Sequence, residues 1–303
     1  MKNSLKLLTA CLSIMATAGV PTTLPVADPA VIHERSNLPT IQHIEVNGDY
    51  IIQVEEGPYE IHYSGTKPAI DALGIRVSKN TLHISANKPK AGWFSRLFNF
   101  RASDEHHLNA SIIISAPKLS TISLRNNSQM VVKNDLNLNN ILLSGSSLLQ
   151  LMASQNSRQL TIDLTGDSRL EATDASAQNT AIDINDNAKA FFLSLEAKKL
   201  KLSLSGNTQA HIQNISAQTT QITSSGQSVN NLDYVDSEQI AFHITDNSEQ
   251  NLRTLKTRSL SFNQSDESKL NILLGQSAYT NGTVSANATY QFNQFNPGNL
   301  DLH

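Results

Sequence analysis

The chain of 303 residues has one cysteine, Cys11, and one tryptophan, Trp93. A lone cysteine forms no internal disulfide, so stability has to come from packing and backbone pairing. Charged residues make up only 16% and the formal net charge is −3. That balance lacks the concentrated basic surface that nucleic-acid phosphates attract, and nucleic acid is not expected as a partner. It is also unlike the charge-rich composition of disordered chains. No apolar run reaches the roughly 20 residues that a membrane-spanning helix needs. There is no Gly-x-Ser-x-Gly elbow, phosphate loop or His-Glu-x-x-His motif, and no cofactor is expected.

What is present begins with a targeting signal. Lys2 and Lys6 precede an apolar stretch from Leu7 to Ala18, and Ala16-Thr17-Ala18 gives the small-x-small pattern for cleavage after Ala18. Residues 1–18 are therefore expected to be a signal peptide, whose removal takes Cys11 with it. A second reading takes Leu8-Thr9-Ala10-Cys11 as a lipobox with Cys11 lipidated. Residues 19–39, with four of the nine prolines and no sustained alternation, read as a linker. The mature chain is expected in the periplasm, at the outer membrane or outside the cell, with no transmembrane helix.

Residues 40–116 read as an N-terminal region of antiparallel strands. Ile44 and Val46 alternate with polar neighbours before the turn at Asn47-Gly48-Asp49. Ile52 with Val54, Ile61 with Tyr63, and Leu82 with Ile84 repeat the pattern. An aromatic segment at 92–101 interrupts them with Trp93, Phe94, Arg96, Phe98, Phe100 and Arg101. Aromatic rings beside arginine suit a binding hot spot or shallow membrane insertion. The other reading is a long hairpin folding its rings onto the end of the domain.

From residue 117 to 275 a repeat dominates. A turn-like triplet ending in a small residue starts at Asn126, Gly145, Gly166, Asp186, Gly206, Gly226, Asp246 and Asp266. The spacings are 19, 21 and then 20 throughout. Its first residue is always Gly, Asp or Asn, the types that best tolerate a left-handed backbone. Four residues earlier stands Ile122, Ile141, Ile162, Ile182, Leu202, Ile222, Phe242 or Phe262. A coil of ~20 residues with inward positions at fixed offsets buries its core only by stacking on its neighbours. The expected fold is all-β, with the antiparallel region followed by a parallel β-solenoid (β-helix-like) of about eight coils. Residues 276–303, with Tyr279, Tyr290, Phe292 and Phe295, are expected to cap its end.

The order Ile44-x-Val46-x-Gly48, Ile52-x-Val54-x-x-Gly57, Leu82-x-Ile84, the Pro117 segment and the repeated Leu-Ser-Gly-like coils resembles the head GIN domain family, described as autotransporter-adhesin-like. The resemblance covers about residues 40–275. It implies an exported β-rich domain with a β-helix-like solenoid, and no catalytic residues to carry over. Autotransporters end in a translocator barrel of amphipathic strands. Nothing after the last repeat matches one, so surface delivery by that route is not implied.

Among groups that could carry chemistry, Asp163 and Asp183 occupy equivalent outward positions one coil apart, about 5 Å if the coils stack. They are candidates for a metal site or for an acid/base pair of a polysaccharide-degrading enzyme. Ser203, Thr223 and His243 continue the same column, so a solvated ladder is the simpler reading. Asp186, Asp246 and Asp266 sit at turn positions and are explained by turn chemistry. His106-His107 lies in a polar stretch, and His211 and His243 look isolated and outward-facing. The sequence thus points to a non-catalytic, adhesin-like binding protein of the envelope. Its partner would be a glycan or an envelope or host protein, with peripheral membrane contact through 92–101 as a further option. A polysaccharide-degrading enzyme and a passive envelope scaffold are the alternatives.

Overall fold

The structure, a computed structural model, describes residues 31–35, 38–86, 110–285 and 287–303. The expected signal peptide, the lipobox and most of the linker lie outside the described residues.

The repeat region folds as a parallel β-solenoid. Strands β12 (Gln155–Leu164), β13 (Arg169–Ile184), β14 (Lys189–Leu204), β15 (Gln209–Ser224), β16 (Val229–Ile244), β17 (Glu249–Gln264) and β18 (Lys269–Val284) each pair in parallel with the next. The register is Ile162↔Ile182, Ile182↔Leu202, Leu202↔Ile222 and onward, twenty residues per step. Equivalent side chains therefore form columns. The column from Ile122 to Phe262 faces inward and is buried along its whole length.

The turn column explains why the coils close where they do. All eight residues that open a triplet have positive φ, from 59° at Asp246 to 84° at Gly206. A Cβ at Gly226 would stand 2.7 Å from the carbonyl oxygen of Gly206, too close without a shift. Two residues on, the column of Ser128, Ser147, Ser168, Ala188, Thr208, Ser228, Ser248 and Ser268 is at most 1% exposed. Only small side chains fit there. The turn aspartates also tie coils together. The Gly166 N–H donates to Asp186 Oδ2 at 3.0 Å, and the Gly226 N–H to Asp246 Oδ2 at 2.9 Å.

The start of the stack departs from chain order. β2 (His43–Asn47) and β3 (Ile51–Glu55) pair in parallel with β8 (Thr121–Arg125) and β9 (Gln129–Val132), with Ile44 opposite Ile122 and Val54 opposite Val132. On their other side they pair in parallel with β6 (Thr81–Ala86) and β7 (Ala110–Ser115). The layer made by residues 43–55 is thus held between one made later, 81–115, and one made later still. The antiparallel strands are also present. β4 (Glu60–Gly65) pairs with β7 and with β1 (Val31–Arg35), and β5 (Leu73–Ser78) with β6. Helix α1 (Lys67–Ala72), with Pro68 in its first turn, joins β4 to β5. Strands expected as hairpins are therefore of two kinds, because period-two alternation does not report whether the neighbour runs parallel.

At the other end the pairing runs past residue 275. β18 pairs in parallel with β19 (Thr289–Asn296) and β20 (Asn299–Leu302), which add a last coil where a cap was expected. Its pattern is disguised. Gly282 stands in the inward column, and a Cβ there would meet the ring of Phe262 at 2.2 Å. Phe262, Tyr290, Phe292 and Phe295 form a chain of ring contacts with centroids 5.1 to 5.9 Å apart that fills this coil.

The interior changes along the stack. From Ile141 to Leu204 the columns hold mainly Ile, Leu, Ala and Phe192, with Gln155 and Thr180 the polar exceptions outside the turn column. From Ser224 to Gln264 they also hold Ser224, Asn230, Gln250 and Gln264, none more than 1% exposed. Gln250 Nε2 donates to Ser224 Oγ at 2.6 Å, and Asn230 Nδ2 to Gln250 Oε1 at 2.9 Å. Paired amides of this kind avoid most of the penalty for burying polar groups.

Candidate functional site

The six binding candidates Trp93, Phe94, Arg96, Phe98, Phe100 and Arg101 lie outside the described residues, as do His106 and His107. The Asp163/Asp183 pair stands as spacing predicts, since the two are direct partners across β12 and β13. Both are half-buried. Burial, and then the charge of Asp183, push the Asp163 carboxyl above its usual range. Two carboxylates offer few of the six to eight oxygens that calcium takes. No group of three or more His, Cys, Asp or Glu is placed to hold a metal among the described residues. His211 is outward-facing but not isolated. Its ring meets the edge of Phe191 at 5.4 Å, and Nε2 lies 3.3 Å from Asp233 Oδ2.

On another column the solenoid builds an amide ladder. Asn251 Nδ2 donates to Asn231 Oδ1 at 3.1 Å, and Asn271 Nδ2 to Asn251 Oδ1 at 2.8 Å.

Among the described residues, a concave surface runs along the corner where each coil presents two successive exposed residues. The pairs are Arg158-Gln159, Gln178-Asn179, Lys198-Lys199 and Gln218-Thr219. Beside them runs a column of small residues, Ser157, Ala177, Ala197 and Ala217, hydrogen-bonded coil to coil through the backbone. Small floor residues next to long polar ones leave a trough. One cleft of about 430 Å³ runs over that floor and is lined by Lys198 and Gln218. A second, of about 300 Å³, lies past the corner between Gln159, Asn179, Lys199, Lys201 and Gln221. Two more, of about 520 and 510 Å³, extend the trough over Arg158 toward Asn139. The floor of the second cleft includes Thr180, 3% exposed, whose hydroxyl has no hydrogen-bond partner.

Sequence reasoning missed this corner. The signal was Lys198-Lys199 and Lys201 in a charge-poor chain, but scattered lysines read as solvated surface until register lines them up with Arg158.

The profile of the family described as "Putative auto-transporter adhesin, head GIN domain" matches residues 40–233. No curated protein matches the chain. Among solved structures, a "putative adhesin" from Parabacteroides merdae superposes with a TM-score of 0.56 at 12% identity, covering 86% of this chain and 95% of its own. A "putative adhesin" from Parabacteroides distasonis superposes with a TM-score of 0.51 at 14% identity, covering 88% and 96%. At these identities the likeness is one of fold.

Proposed function

Since the chain belongs to the family described as auto-transporter adhesin, head GIN domain, we propose that it is an exported, adhesin-like protein of the bacterial envelope that holds a ligand without transforming it. The observation that supports this most is the outer surface of the stack, where polar columns repeat at coil spacing along a rigid core. Such a surface matches a partner that is itself extended or repetitive. A glycan, or an envelope or host protein, is the class of partner, with residues 92–101 a second contact region. No helix among the described residues is long and apolar enough to cross a membrane.

The test is cellular. The exported chain is expected outside the cytoplasm with its N-terminus at Gly19, and cells lacking it are expected to lose attachment to a ligand-coated surface. Equal attachment with and without the chain overturns the reading. One observation favours a catalytic alternative, the raised Asp163 carboxyl facing Asp183. Release of sugar from a polysaccharide by the wild type, abolished in Asp163→Asn, would establish it in place of adhesion.

A further inference from the structure

Building on that binding reading, we infer that the corner trough is a site for an anionic polysaccharide, lying along the stack with its acidic groups on Arg158, Lys198, Lys199 and Lys201. Its length suits a polymer. From the coil of Asn139 to that of Thr219 there are four steps of ~4.8 Å, so the trough runs for about 19 Å. That is several sugar units rather than one small molecule.

Charge is concentrated there against the trend of the chain. All four cations are exposed, and none has an ion-pair partner among the described residues. Elsewhere on the solenoid Lys256 is held by Asp236 at 3.0 Å and Arg169 by Glu171 at 2.6 Å, while the exposed Lys189, Arg253, Arg258 and Lys269 line none of these clefts. Glu196 is the one acid lining the clefts. In the coil after Gln218, Glu238 continues the column of Arg158 and Lys198 and Asp236 that of Glu196, which interrupts the cationic stretch before Arg258.

The remaining lining matches sugar hydroxyls, which donate and accept at once. Amides do the same, and Gln159, Asn179 and Gln221 surround the second cleft. No aromatic ring lines the clefts, so unpaired bases would find nothing to stack on. Nor does an exposed apolar anchor line them, of the kind a protein partner uses.

The experiment passes the full chain over immobilised polygalacturonate, dextran sulfate, neutral dextran and poly-glutamate. Retention is expected on one or both anionic polysaccharides and not on dextran, with release at 1 M salt, where the Debye length is about 3 Å. Which anionic polymer retains the chain identifies the acidic group as carboxylate or sulfate. Lys198→Glu/Lys199→Glu/Lys201→Glu should weaken retention at least about tenfold. The control Lys189→Glu/Arg253→Glu/Lys269→Glu, with the same charge change on exposed positions away from the corner, should retain it. Circular dichroism checks folding, and Lys198→Gln/Lys199→Gln/Lys201→Gln replaces the first variant if it unfolds. No retention by the wild type on either anionic polysaccharide, equal loss in both triple variants, or equal retention on poly-glutamate overturns the assignment. Cell attachment separates it from its premise. If the corner variant still supports attachment, the trough assignment falls and the adhesin reading stands. If the wild type supports none, the premise falls as well.

Discussion

Two stretches of one solenoid share a backbone register but differ in what they enclose. Between Ile141 and Leu204 the interior is mostly aliphatic, with Phe192 its one ring and Gln155 and Thr180 its buried polar residues outside the turn column. Between Ser224 and Gln264 polar side chains, Ser224, Asn230, Gln250 and Gln264 among them, occupy columns that elsewhere hold Leu, Ile or Ala. The ladder from β15 to β17 keeps its twenty-residue step regardless. The left-handed turns at Gly226, Asp246 and Asp266 and the buried serines that follow them are also unchanged. Turn and ladder therefore specify the coil. The core has only to fill volume, and it keeps its register even though Asn230 Oδ1 and Gln264 Oε1 find no hydrogen-bond partner.

The comparison breaks most sharply if a polar group is placed in the aliphatic stretch. Leu202→Asn removes a buried side chain and strands an amide among Ile182, Ile222 and Leu204, and is expected to cost about 4 kcal/mol. The loss would appear as a large drop in urea midpoint. In the polar stretch the converse change should be milder. Gln250→Leu orphans the Asn230 amide and the Ser224 hydroxyl at a cost of about 2 kcal/mol. Adding Asn230→Leu should return more than half of it, which a double-mutant cycle would read as coupling. Additive losses would mean the network contributes nothing as a unit.

Outside the core the effects shrink. Asn251→Ala cuts the amide ladder at its middle member, for about 0.5–1 kcal/mol. The smallest change is a gain. The folded state holds the Asp163 proton more tightly than the unfolded chain does, so its carboxylate opposes folding. That opposition is absent below the usual carboxylate pKa of about 3.9 and is complete once pH exceeds the raised folded value. Asp163→Asn should therefore raise the thermal midpoint slightly at pH 7 and leave it unchanged at pH 3. A midpoint that falls at pH 7 would show instead that the charged carboxylate stabilises the fold.

Much of this fold could be read from the residues, because its two strongest constraints leave chemical traces. A left-handed turn demands Gly, Asn or Asp, and a buried turn residue demands Ser, Ala or Thr, so the period was visible. The layer of residues 43–55 was not, since Ile44 and Val46 look the same beside Leu82 and Ile84 as beside Ile122 and Leu124. The last coil was obscured because Gly282 yields its space to Phe262. Of the candidate site, the Asp163/Asp183 pairing followed from the period alone. The corner trough did not, because a trough exists only once Ala177, Ala197 and Ala217 are stacked beneath their longer neighbours.

The interleaved start sets the order in which the molecule can form. In the regular stack each coil finds its partner twenty residues away, whereas Ile44 must find Ile122, 78 residues on. Closing the larger loop costs about 1 kcal/mol more entropy, repaid only when the whole layer docks. Until then residues 43–55 hold two open edges, one waiting for 81–115 and the other for 121–132. Local coils between residues 155 and 284 can propagate from any point, as in other one-dimensional arrays. The segment synthesised early is therefore expected to be completed late, with protection of the residue 43–55 amides lagging behind that of residues 155–284 during refolding.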